Sequence, residues 1–372
     1  MVRILLCLDK FRGSATAAEA SAALESGIRD RRPDIDVVTL AIADGGEGTV
    51  DALVSAGFRR HTVAVSGPLG ETVQADLALR DGHAVIEMAQ ASGLHLIAAS
   101  PAPLTASTFG TGELVREALD LGSRSITITV GGSASTDGGA GMLQALGARL
   151  TTAGGDPIEP GGAGLAELDS IDLSALDPRL ADADVSVASD VDNPLLGPTG
   201  AAAVFGPQKG ATPRDVDVLE AGLRRLADVM RAAVGEDYAA HAGAGAAGGT
   251  GFGALAGLHA TRRSGIAFML RETGVEAALA DADLVVVGEG SLDEQSLGGK
   301  APIGVASLAR ERDVPVIAVA GQVLLSTESI ERAGLVRTYS ILDRAGDVAV
   351  AMSEPQRFLF AIGGDIAEFL AP

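Results

Sequence analysis

Short β-branched runs alternate along this chain with segments whose apolar residues recur at helical spacing, and no other feature narrows the fold so much. The runs are RILLCL (3–8), DVVTL (36–40), SITITV (125–130), VSVAS (185–189), DLVVVG (283–288) and VPVIAVAG (314–321). Helical spacing covers 14–30, 47–57, 137–146 and 301–312. Strands joined through helices call for a parallel sheet with crossover connections, hence an α/β protein. Two helix starts carry capping boxes: Thr16 with Glu19, and Thr212 with Asp215, the latter followed by Pro213 at the first helical position. Beyond Thr212, the spacing of Leu219, Leu223, Leu226, Met230 and Val234 gives one apolar stripe that reads as core packing.

Residues 60–88 break this rhythm. RRHTVAV, TVQADLALR and HAVIEMA, separated by GPLG and DG turns, read as an antiparallel meander. The expected architecture is therefore a discontinuous Rossmann-like parallel-sheet domain, 1–62 plus 283–372, holding an inserted mixed-sheet α/β domain, 63–282. An end of the insertion near 200 is the alternative. A chain of 372 residues exceeds one ordinary core, and 47 % hydrophobic residues are enough to fill two. The segment 243–257 (GAGAAGGTGFGALAG) is too rich in glycine for regular structure throughout.

Charge and hydropathy exclude several partners. A formal net charge of −21, with no offsetting block of Lys or Arg, repels a nucleic-acid backbone. No apolar run is long enough to span a bilayer. The start, MVRILLCLDK, has too short an apolar core for a secretory signal, so a cytoplasmic protein is expected. The single cysteine, Cys7, lies in a buried-strand run and reads as a small hydrophobe.

Two phosphate motifs fail on inspection. Gly243, Gly245 and Gly248 have dinucleotide-fingerprint spacing, but the preceding DYAAHA is no strand; Gly299-Lys300 is followed by Ala301, so a Walker A loop is absent. The polar clusters at predicted strand ends are more informative: DKFRGS (9–14), ADGGEGT (43–49), GGSASTDGG (131–139), SDVDNP (189–194), FGPQKGAT (205–212) and GEGSLDEQSLGGK (288–300). Together they supply carboxylates, hydroxyls, basic groups and bare backbone, the needs of phosphoryl transfer, so a kinase is the leading class. Each cluster also has a structural explanation. Asp44 and Glu47 fit a helix cap as well as a metal or substrate site. Asp190, Asp192 and Asn193 before Pro194 fit an Asx turn as well as a catalytic group. Lys209 and Lys300 fit solvated surface positions as well as phosphate contacts. The glycines at 131–139 fit close packing as well as an anion cradle. None of the five histidines shows metal-ligand spacing.

In this order, the segments ADGGEGT, GGSASTDGGAGMLQALGA, DVDNPLLGPTGAAAVFGPQKGA, GAGAAGGTGFG and GEGSLDEQSLGGKAPIGVA resemble the bacterial glycerate kinases of the type-1 family over almost the whole chain. The resemblance implies ATP-dependent phosphorylation of D-glycerate, a Mg²⁺ requirement, and a two-domain α/β fold with its active site in the interdomain cleft. On that basis Asp190 is expected to act as the base, with Asp293 as the alternative. Lys10, Arg12 and Lys300 would offset charge on the substrate and the phosphates, and Asp44 and Glu47 would serve the metal or a substrate hydroxyl, with Asp190 as a further metal candidate. Gly131, Gly132, Ser133, Ser135, Thr136 and Asp137 would approach an anionic group, while Ser14, Asn193, Lys209 and Glu289 complete the expected binding set. The chain departs from the family pattern at Arg12, where lysine is common, and at Ser291, where many members carry arginine. The 2-hydroxyl is the favoured acceptor. A nicotinamide-dependent hydroxy-acid dehydrogenase and a non-catalytic anion or nucleotide sensor are the alternatives.

Overall fold

A computed structural model describes residues 2–11, 13–294, 296–298 and 301–370. The chain begins with β1 (Arg3–Leu8) and β2 (Asp36–Thr39). It continues through β3 (Arg59–Ser66), β4 (Thr72–Arg80), β5 (His83–Glu87), β6 (Ser125–Thr129), β7 (Arg149–Thr151), β8 (Ser170–Asp172), β9 (Asp184–Ala188) and β10 (Thr261–Arg263). It ends with β11 (Leu284–Leu292), β12 (Val316–Val323) and β13 (Leu335–Ser340). Two compact units result: Met1–Asp44 with Ile266–Pro372, and Gly45–Gly265.

The unit boundaries fall at 44/45 and 265/266, where the sequence suggests 62/63 and 282/283. Packing explains the difference. The helix Thr49–Ser55 lies on β3, β4 and β5 and so joins the second unit. Leu270, Val275 and Leu279 join the core beneath the first sheet, although no β-branched run announces them.

In the first unit all five strands are parallel, in the order β13-β12-β11-β1-β2. Along β1, Ile4, Leu6 and Leu8 pack with Leu24, Ile28, Ile362 and Ile366 from the helices Ala17–Arg31 and Pro355–Phe369. Leu5 and Cys7 pack into the opposite core with Val305 and Ala309. A strand covered on both faces needs a continuous apolar run, which RILLCL supplies. Burial pushes the Cys7 thiol far above its usual range, leaving it inert. The strand order reverses between β1 and β11, because β2 follows on one side and β12 on the other. At such a switch point the connections diverge and leave a crevice at the carboxyl ends of the strands.

The second unit holds a six-stranded sheet in the order β10-β9-β6-β5-β4-β3. The expected antiparallel meander is β3-β4-β5, and β5, β6, β9 and β10 run parallel. β7 and β8 form a separate antiparallel pair. Both capping boxes are present, with each side chain bonded to the other's backbone. Leu219, Leu223, Leu226 and Met230 are buried in this unit's core, with Val234 partly buried against it. The glycine-dense stretch forms the helix Ala246–Gly257, interrupted by left-handed Ala247, Gly248 and Gly249. No described helix is long and apolar enough to cross a membrane.

Candidate active site

Lys10, Ser14, Asp44, Glu289 and Asp293 line one cavity of about 410 Å³ in the first unit, at the carboxyl ends of β1 and β11. The DKFRGS turn is built to present them. Asp9 N–H donates to the Gly288 carbonyl at 2.8 Å, tying the turn to β11, and Lys10 N–H donates to Asp9 Oδ1 at 2.7 Å. Phe11 is buried beneath the turn and its N–H reaches the Ala15 carbonyl, while Ser14 Oγ donates to the Phe11 carbonyl. At the end of β11, Asp293 Oδ1 accepts the Ser296 N–H at 3.2 Å, and Gln322 Nε2 donates to Ser291 Oγ at 3.2 Å. Asp9, Ser291 and Gln322 thus join the expected residues. Gly290 and Gly321 also line it, and the remaining lining is apolar: Ile341, Leu342, Val348, Ala351 and Met352. No local motif marks these as site residues. Arg12 and Lys300 lie outside the described residues.

In the second unit, three polar turns gather at the carboxyl ends of β5, β6 and β9. Gly131 N–H donates to the Gly45 carbonyl at 3.1 Å, and a methyl group on Gly131 would sit 2.5 Å from Gly46 Cα. Glu47 lies alongside Gly132 and 3.7 Å from His95 Nδ1. Asp190 follows β9 and is exposed; its Oδ1 accepts a hydrogen bond from Ser264 Oγ at 2.7 Å. Asp192 pairs with Arg262, and Asn193 Nδ2 donates to the Thr199 carbonyl, which closes the turn before helix Ala201–Phe205.

Four residues of the expected binding set, Asp137, Lys209, Ser135 and Thr136, are buried in this structure. Asp137 is buried, and its carboxylate accepts from Thr108 N–H and Oγ1, Gly139 N–H and Gly141 N–H. It pins the start of helix Ala140–Ala145 to Thr108 at the start of helix Phe109–Asp120. Lys209 is only 1 % exposed, and its Nζ donates to Ser133 Oγ and to the Ser135 carbonyl. Burial lowers its pKa to about 7, against an opposing pull from Asp137. Ser135 and Thr136 are fully buried, and neither hydroxyl finds a hydrogen-bond partner among the described residues. In this structure the surface presented by the turn is Gly132, with Gly131 half-buried and Ser133 buried.

Close packing accounts for most of the glycines here. A methyl group on Gly138 would lie 2.2 Å from Leu226 Cδ2; one on Gly248 would lie 2.0 Å from the Ser135 carbonyl oxygen. Gly248 also has φ +67°; of the three glycines with fingerprint-like spacing, Gly245 and Gly248 serve backbone-on-backbone contacts and Gly243 packs against the Arg262 side chain.

Glu87 is a buried carboxylate that sequence reasoning passed over. It accepts from Gly48 N–H at 3.2 Å and Val50 N–H at 2.9 Å, satisfying the first turn of helix Thr49–Ser55. Burial raises its pKa while these N–H groups pull it down. A lone acid inside the apolar run HAVIEMA was the available signal. Among the described residues, no three carboxylate, imidazole or thiol side chains stand close enough to hold a metal ion by themselves.

Residues 4–371 match the model of the glycerate kinase family. The chain is 45 % identical over 370 residues to the glycerate kinase of Bacillus subtilis (strain 168), covering 98 % of this chain and 97 % of that protein. It is 44 % identical over 350 residues to the glycerate 2-kinase of Escherichia coli (strain K12), covering 93 % and 92 % respectively. A crystal structure of a relative from Salmonella typhimurium LT2 superposes with a TM-score of 0.84 at 43 % identity, over 99 % of this chain and 98 % of the other.

Proposed function

The chain belongs to the glycerate kinase family and is an ATP-using phosphotransferase, and from that premise we propose that it phosphorylates D-glycerate on the 2-hydroxyl. The similarity to the Escherichia coli protein named glycerate 2-kinase carries the choice of hydroxyl.

Phosphoryl transfer asks a protein chiefly for positioning and for charge neutralisation. Asp190 is the base in this reading. Its carboxylate is exposed past the end of β9, and the Ser264 hydroxyl orients it to accept the proton of the attacking hydroxyl. Asp293 is the second candidate, already engaged by Ser296 in its own turn. Lys10 offsets phosphate charge, assisted by Ser14 and, as the family resemblance implies, by Arg12 and Lys300. Glu47, Asn193, Gly132 and Ser133 are the groups offered to the substrate's hydroxyls and carboxylate. Lys209, Asp137 and Glu87 act behind them, by holding the turns.

Mg²⁺ fits the oxygen donors available, because it keeps several waters and needs only one or two carboxylates besides the nucleotide's phosphates. Asp44, on the polar rim of the first unit's cavity, is the carboxylate that would hold it, and the bound cation would neutralise charge on the phosphate oxygens.

The test is ADP release from the purified protein with Mg²⁺-ATP, with and without D-glycerate, the product being offered to enolase. Glycerate-dependent ADP with immediate enolase turnover is expected. Glycerate-dependent ADP without enolase turnover would move the phosphate to the 3-hydroxyl.

A further inference from the structure

We infer that the cavity at the carboxyl ends of β1 and β11 takes the nucleoside end of the phosphate donor, with the base lying on Val348, Ala351 and Met352 and the phosphates toward Lys10 and Ser14. The inference rests on the ATP-dependent reading above and assigns a location and recognition chemistry for the donor.

Place, size and polarity carry it. The cavity opens where the strand order reverses, the position at which open parallel sheets hold their ligands. Its volume of about 410 Å³ suits a drug-sized or nucleoside-sized molecule, and a three-carbon acid would fill little of it. Part of the lining is polar, with Asp9, Lys10, Ser14, Asp44, Glu289 and Asp293. The remainder includes Ile341, Leu342, Val348, Ala351 and Met352, which offer no side-chain donor or acceptor. Glycerate carries a hydroxyl or carboxylate on every carbon and has no use for such a wall, whereas a nucleotide has a flat base at one end and phosphates at the other.

The wall is also uncovered. Val348 is 62 % exposed and Met352 43 % exposed, both on the helix Val348–Ser353, so apolar surface meets solvent at the cavity. A bound base would remove that surface from water. The polar and apolar sides adjoin closely enough for one ligand to touch both: a methyl group on Gly13, in the DKFRGS turn, would lie 3.0 Å from Met352 Cε.

The test is the double variant Val348→Ser, Met352→Ser, placed at exposed positions where folding is not at stake. Binding of ADP is measured by calorimetry without glycerate, together with the KM values for ATP and D-glycerate and the Ki of inorganic tripolyphosphate against ATP. Loss of the apolar contact should raise the ADP Kd and the ATP KM by about tenfold, with the tripolyphosphate Ki and the glycerate KM unchanged. A rise in glycerate KM with unaltered ADP binding would give the cavity to the acid instead, and no change in any value would mean that the wall touches neither ligand. A parallel rise in the tripolyphosphate Ki would show that the wall does not read the nucleoside. ADP calorimetry reads the cavity whether or not glycerate proves to be the acceptor, so failure of the substrate assignment is seen separately.

Discussion

Lys209 Nζ donates to Ser133 Oγ at 2.8 Å, bridging 76 positions of chain, and also donates to the Ser135 carbonyl. One side chain from the FGPQKG turn therefore holds the shape of the glycine-rich turn after β6. Its burial has a pH signature. With a folded pKa of about 7 and an unfolded value near 10.4, the folded chain binds fewer protons than the unfolded chain between those limits. Stability arising at this group therefore rises with pH across that window, and the penalty is fully present below about pH 7. Calorimetric melting of the parent and of Lys209→Met should show the parent gaining on the variant from about pH 7 to about pH 10. Parallel pH profiles would mean that the amine stays charged inside the fold.

Glu87 satisfies two N–H groups at the start of helix Thr49–Ser55, so Glu87→Ala orphans both. A cost of about 1–3 kcal/mol per buried donor is expected, read from urea unfolding. Because burial raises this carboxyl's pKa, its sign is opposite to that of most paired acids: its contribution to stability is greatest at low pH and falls as pH rises through the folded value. Glu87→Gln should flatten that part of the profile.

Asp137 accepts four hydrogen bonds from two helix starts and the turn between, which makes it a fastener rather than a ligand. Asp137→Ala should destabilise the protein by about 3 kcal/mol or more, since several buried donors lose their acceptor at once. A variant with parental stability and only a raised substrate KM would return Asp137 to the binding set.

Gly248→Ala would drive a methyl group into the Ser135 carbonyl and to within 2.9 Å of Lys209 Nζ, at φ +67°. Lost stability of about 1–3 kcal/mol is expected together with lowered kcat, because the turn itself must shift. Gly235 gives the control: φ is +80° but a methyl group there meets nothing within 4 Å, so Gly235→Ala should cost stability and leave kcat alone.

Asp190→Asn keeps the shape of the proposed base and its contact with Ser264 while removing the charge. Turnover should fall by about 10²–10⁴-fold with little change in melting temperature. A loss under about tenfold would pass the role to Asp293.

Local chemistry determined much of this protein. The strand runs, the meander over 60–88, both capping boxes and the Leu219–Met230 stripe depend on neighbours a few positions away, so their spacing was legible. The sequence also put Lys10, Ser14, Asp44, Glu289 and Asp293 in polar clusters after predicted strands; in the structure they line one cavity, with Glu289 inside β11. What only the tertiary structure decided is which polar groups face a ligand and which face the protein. Lys209, Asp137 and Glu87 look like site residues or like nothing in sequence, yet their partners lie 76, 29 and 37 to 39 positions away. The apolar wall on Val348–Ser353 was equally silent, because an exposed valine or methionine acquires meaning only when a cavity lies beneath it. Burial and long-range hydrogen bonding are properties of packing, and no local pattern encodes which of two identical side chains packing will enclose.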